Sequence, residues 1–218
     1  SIAETVRNSL ESNNRLDSPN RLIIIDADVP NQDLLIHSLP SSDDTQLRIL
    51  KRDIDGVTQV TSILSECDDI DSVHIFSHGD EAAIRLGSAD LDATSMGSYA
   101  NRRGQWQSSL SDHADIHLYA CDVARGPAGQ QFVQGLARLT GADVAASDDL
   151  TGGARAGGDW HLEYATGSIN EPLVPDVGLA AYPHVLAHVS STSADESLLG
   201  TSGDDTFVFE DGWGSDSV

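Results

Sequence analysis

Two segments of this 218-residue chain end in side chains able to do chemistry. Ser72-Val73-His74-Ile75-Phe76-Ser77-His78-Gly79-Asp80 delivers a histidine beside a glycine, and Asp115-Ile116-His117-Leu118-Tyr119-Ala120-Cys121-Asp122 delivers a cysteine beside an alanine. A short apolar run bounded by polar residues reads as a buried strand of a parallel sheet. The ends of such strands are where open α/β sheets place their ligand sites. An imidazole and a thiol carried to one sheet edge supply the base and the nucleophile of thiol catalysis. Gly79 leaves room for close backbone approach, and its N–H can pair with that of Cys121 as oxyanion donors. The chain turns into a further helix soon after Cys121, and unpaired N–H groups at a helix start favour a thiolate. The order, histidine before cysteine, is the reverse of the papain arrangement.

Plainer readings compete at each position. A cysteine at a strand end is most often core, which suits Cys67. His74 and His117 alternate with core positions and read as strand-face residues rather than ligands. His184 and His188 have a spacing that would suit a metal on a helix, but a solvated linker is the simpler reading.

The elements that must position the pair follow from the pattern. Arg21-Leu22-Ile23-Ile24-Ile25-Asp26 and Gln46-Leu47-Arg48-Ile49-Leu50 read as strands, and Val57, Val60, Ile63 and Leu64 have helical spacing. The His78 strand follows. Leu91 to Leu110 reads as mostly helix, carrying Tyr99 and Trp106 into the Cys121 strand. Gly129 to Leu139 is a helix stopped by Gly141. Asp143 to Ser147 is a fifth strand, Gly152 to Gly158 a mobile glycine loop, and Trp160 to Tyr164 a late strand or hairpin arm. Strand and helix in alternation predict an α/β fold: a mostly parallel sheet with helices on both faces.

Composition bounds the function. There are 12 basic and 35 acidic residues, a formal charge of −23, and Lys51 is the single lysine. Such a chain is a poor partner for nucleic acid or an anionic membrane, which call for Lys/Arg patches. It suits a salty exterior, divalent cations or cationic substrates. Two cysteines make no disulfide framework. No run is long and apolar enough to span a membrane, and the N-terminus has no signal-peptide pattern. The abrupt finish at Val218 suggests a piece of something larger.

The expected organisation is an N-terminal arm over residues 1–20, an α/β domain over 21–183, a linker over 184–198 and a different texture over 199–218. There, Leu199-Gly200-Thr201-Ser202-Gly203-Asp204-Asp205 and Gly212-Trp213-Gly214-Ser215-Asp216 fit the glycine-rich nonapeptide of calcium-binding parallel β-rolls. Gly200, Gly203, Gly212 and Gly214 would form the turns, and Asp205 and Asp216 would supply hard oxygen ligands for Ca²⁺.

An apolar block ending in His-Gly, followed by one ending in Ala-Cys, resembles the signature of caspase-like (clan CD) cysteine peptidases. These include gingipains, legumain, separase and the self-cutting domains of large bacterial toxins. Residues 21 to about 167 also resemble a bacterial domain family of long-unknown function, found near the N-terminus of giant repeat-containing adhesins. The match lies in Ile25-Asp26-Ala27-Asp28-Val29-Pro30, Ile75-Phe76-Ser77-His78-Gly79, Leu118 to Ala124, Thr140 to Ser147 and Gly158 to Tyr164. The resemblance implies Cys121 as nucleophile, His78 as base or proton shuttle, and an oxyanion hole from the Gly79 and Cys121 N–H groups. It also implies a pocket lined from neighbouring strand ends, here Asp26, Asp28, Ser147, Asp148 and Asp149, an acidic set suited to Arg or Lys. The expected function is a self-processing cysteine endopeptidase within a secreted or bacterial cell-surface protein. Its substrate would be its own polypeptide chain or a peptide. The alternative is a catalytically silent interaction or folding module of a calcium-binding adhesin.

Overall fold

The computed structural model describes residues 20–39, 42–170 and 179–187. A six-stranded sheet runs β2-β1-β3-β7-β8-β9, built from β1 (Arg21–Ile25), β2 (Thr45–Ile49), β3 (Ile70–Phe76), β7 (Leu110–Tyr119), β8 (Asp143–Ala146) and β9 (Tyr164–Ala165). The first five strands in that order are parallel, and β9 pairs antiparallel with β8. The expected α/β fold with a mostly parallel sheet is therefore what the chain adopts.

Alternation along each strand divides the core in two. Leu22, Ile24, Val73, Ile75, Ile116, Leu118 and Val144 face one side, where α2 (Gly56–Leu64), α3 (Arg103–Ser109) and α4 (Gly126–Thr140) close over them with Val60, Leu64, Trp106, Phe132 and Leu136. The start of α2 is fixed by Asp55, whose side chain accepts from the Thr58 N–H. The end of α4 is fixed by Gly141 in the left-handed region, φ 79°. Ile23, Ile25, Phe76, Tyr119 and Cys121 face the other side. There α1 (Gln32–Ser38) contributes Leu35, and the rest of the cover is irregular chain carrying Trp160, Leu179, Tyr182 and Leu186.

The structure departs from the sequence reading in three places. Leu91 to Leu110 is helical over 95–109, as expected, but not as one regular α-helix. It starts in β6 (Ala89–Asp92), passes through a 3₁₀ stretch over Ser95–Arg102 and reaches α3 last. Gly79 onward folds into a small antiparallel sheet of β4 (Gly79–Asp80), β5 (Ala83–Leu86) and β6, whose first turn carries Ala82 at φ 62° without a glycine to advertise it. Residues 184–187, expected to open the linker, lie against the body through bridges Gly152↔Val185 and Gly79↔Ala187. The rest of that linker, nearly all of the N-terminal arm and the whole proposed β-roll start, with Gly200, Gly203, Asp205, Gly212, Gly214 and Asp216, fall outside the described residues.

Candidate active site

β3 and β7 are neighbours in register, with Phe76 opposite Tyr119. His78 and Cys121 each lie two residues beyond that pair, at the C-terminal edge of the sheet. β1 and β3 are adjacent although β2 lies between them in sequence, so a topological switch point falls beside His78.

Backbone pairing on both sides holds His78. Ser77 N–H donates to the Tyr119 carbonyl at 3.1 Å, and Arg85 N–H donates to the His78 carbonyl at 2.9 Å. The β4–β5 hairpin thereby sets the histidine's position, a device the sequence did not advertise. The imidazole lies between two backbone carbonyls, with Nδ1 2.9 Å from Ala187 O and Nε2 3.1 Å from Asp28 O. A neutral ring can donate to one of these and a doubly protonated ring to both.

Cys121 is fully buried. Its Sγ accepts from the Thr151 N–H at 3.2 Å and lies 3.5 Å from the Thr151 carbonyl. Burial pushes the thiol up to about 12. The thiolate expected from a following helix is not favoured in this state: α4 begins only at Gly126, after a turn in which Asp122 sits at φ 60°.

The expected oxyanion donors do converge. The N–H groups of Gly79 and Cys121 both donate to the carbonyl of Leu186, at 3.0 and 3.3 Å. Gly79 must be a glycine for this approach, because a Cβ there would come within 2.7 Å of Ala120 Cβ and of the Cys121 carbonyl oxygen.

The expected acidic pocket does not form as one pocket. Asp26, at the end of β1, is fully buried, and its oxygens accept from the Asp28 and Gly87 N–H groups. Burial pushes its carboxyl up despite those two bonds. Asp28 pairs with Arg52 at 2.6 Å. Ser147 and Asp149 stand at the end of β8, on the cysteine side of the pair. Their carbonyls accept from Ala124 and Asp122 and so brace the turn after Cys121. Asp148 is exposed, and its N–H donates to Glu163. The five residues are thus divided between the two flanks of β3 and β7, and several are committed to backbone groups.

The glycine loop has a role other than mobility. Gly153 N–H donates to the His184 carbonyl at 2.8 Å, Gly152 N–H donates to the Asp159 carbonyl at 2.7 Å, and Leu186 N–H donates to the Thr151 carbonyl at 2.8 Å. A Cβ on Gly152 would meet His184 O at 2.3 Å, and one on Gly153 would meet Tyr182 O at 1.6 Å. The loop is a seat for the extended segment 182–187.

Two features were not singled out as sites in the sequence. Asp159, His161 and Glu163 are exposed and each offers a ligand atom within 4.8 Å of the others, so together they could hold a cation. His74 and His117 are buried and stacked at 4.2 Å, in line with their reading as strand-face residues.

The fold and its edge define an α/β protein with a histidine and a cysteine brought to adjacent strand ends. The chain belongs to the family described as Domain of unknown function (DUF4347), whose family model matches residues 22–186. No curated protein matches it.

Proposed function

We propose that this domain is a caspase-like cysteine endopeptidase that processes its own chain within a large exported bacterial surface protein. The observation that carries this reading is one peptide carbonyl, that of Leu186, cradled by the N–H groups of Gly79 and Cys121. Two donors aimed at one carbonyl, one of them the N–H of the cysteine itself, are what stabilises the oxyanion of acyl transfer. His78, oriented through Nε2 by the Asp28 carbonyl, serves as base and then as acid. Gly79 and Cys121 supply the oxyanion hole. A peptide added edge-on to the sheet at the glycine loop is bound mainly by main-chain hydrogen bonds.

The same reading places the domain at the cell surface or in the exterior, with Ca²⁺ bound through the C-terminal repeats at Asp205 and Asp216. No helix among the described residues is long and apolar enough to cross a membrane.

The second reading is a silent interaction or folding module, and the burial of Cys121 favours it: a neutral thiol with a pKa near 12 is a poor nucleophile at neutral pH. Intact mass of the purified chain over time separates the two. New termini that disappear in both Cys121→Ala and His78→Ala support the peptidase. Fragments that persist in both variants come from a contaminating protease, and an unchanged mass with and without Ca²⁺, in a chain whose Cys121 no peptidyl electrophile labels, favours the silent module.

A further inference from the structure

We infer that the bond this domain cuts is its own Leu186–Ala187 peptide, and that its specificity is for an extended segment bearing a buried apolar residue, not a basic one. The inference rests on the peptidase reading and names its substrate.

Residues 182–187 occupy the cleft as a substrate strand would. Gly153 N–H donates to His184 O and Leu186 N–H donates to Thr151 O, both at 2.8 Å, giving an antiparallel pairing on the glycine loop. Extended backbone paired on a sheet edge is the conformation in which peptidases accept substrate. Within that strand, Leu186 is the residue whose carbonyl is held by Gly79 and Cys121 together. On its far side, the Ala187 carbonyl lies 2.9 Å from His78 Nδ1, so the imidazole faces the half of the peptide that must leave.

The side chain before the bond settles specificity. Leu186 is 0% exposed and belongs to the cluster of Phe76, Tyr119, Trp160 and Tyr182. An arginine there would bury a charge without a partner, since Asp26 and Asp28 are engaged elsewhere. This replaces the expectation of cleavage after Arg or Lys.

The reaction balances with water as the one co-reactant. His78 removes the Cys121 proton once the thiol turns from Thr151, and the sulfur forms a bond to the Leu186 carbonyl carbon. The oxyanion is held by the two N–H groups until the C–N bond to Ala187 breaks. His78 returns the proton to the departing Ala187 nitrogen. Water activated by the same imidazole then hydrolyses the thioester, leaving a carboxylate on Leu186 and restoring the thiol. The substrate is already seated, so no association cost opposes the first step.

Mass spectrometry of the incubated 218-residue chain tests this. The expected result is one cut, giving fragments 1–186 and 187–218 that are absent in Cys121→Ala. Ala187→Pro removes the N–H of the departing nitrogen at a half-buried position. It should abolish the cut while leaving the melting temperature near that of the parent. Leu186→Met should still be cut, and Leu186→Arg should not. Cys121-dependent cleavage at any other bond would overturn this assignment and leave the peptidase reading standing. The same holds if Cys121 is labelled by a leucyl acyloxymethyl ketone peptide in a chain that stays intact. Neither cleavage nor labelling would overturn both.

Discussion

Gly79 and Cys121, from the ends of two different strands, donate their N–H groups to one oxygen, the carbonyl of Leu186, at 3.0 and 3.3 Å. Convergence of two donors on one acceptor requires β3 and β7 to be in register. It also requires Gly79 to lack a Cβ and the 182–187 segment to be drawn in by the glycine loop.

Gly79→Ala should be destabilising by about 1–3 kcal/mol, the usual cost of overpacking. The new methyl has no flexible neighbour to displace, since it meets Ala120 Cβ and the Cys121 carbonyl at 2.7 Å and Val123 Cγ2 at 2.8 Å. Urea denaturation reads this cost. An unchanged midpoint would mean that the close approach does not exist in solution.

Alkylation of Cys121 by iodoacetamide, followed in a Cys67→Ser background, should be slow at pH 7. It should rise about tenfold per pH unit toward pH 9, because only the thiolate reacts and burial holds the thiol near 12. A rate already flat above pH 7 would show an activated thiol in the resting chain and refute the buried state.

Gly153→Ala should expel the strand and not unfold the sheet, since its Cβ would overlap the Tyr182 carbonyl at 1.6 Å. Hydrogen exchange at Leu186 should accelerate by orders of magnitude, while amides of β1 and β3 keep their protection. Equal acceleration everywhere would make the segment an inseparable part of the core.

His74 and His117 set an acid limit. Burial, aided by their mutual repulsion and by Arg21, holds His74 down to about 2, and burial with Arg21 holds His117 down to about 4. In the unfolded chain both titrate near 6.5. Their stabilisation is therefore complete above pH 6.5. It falls as the pH drops from there, by about 1.4 kcal/mol per unit per group, to pH 4 for His117 and beyond for His74. His117→Leu should flatten the decline of the urea midpoint between pH 6.5 and 4; an identical slope would refute the assignment.

Calcium is a separate matter. Calorimetry on a chain extended beyond Val218 should show Ca²⁺ binding that Asp205→Asn and Asp216→Asn weaken. No heat in that protein would remove the β-roll reading.

The parallel sheet was legible because its strands are short apolar runs such as Leu22 to Ile25 and Val73 to Phe76, separated by helical spacing at Val57, Val60 and Leu64. The pairing of His78 with Cys121 at one edge was legible for the same reason. The β4–β6 hairpins were not, because their first turn uses Ala82 at φ 62° in place of a glycine and their strands are only two to four residues long. The surroundings of the strand-end carboxylates are not legible, because residue type does not show what an oxygen accepts: Asp26 takes two backbone N–H groups. The seat for residues 182–187 lies in a glycine run that reads as mobility from sequence, since a missing Cβ carries no sign of the backbone that presses against it.

The Leu186 end of the seated strand is continuous with Tyr182 and Leu179, both buried in the same cluster as the sheet. A cut after Leu186 would leave that half anchored, its new carboxylate still facing the two N–H groups that held the carbonyl. Each molecule would then act once and stay blocked by its own product. The amount of chain cut would count domains made, in the manner of a fuse, and would not grow with time as a turnover enzyme's output does.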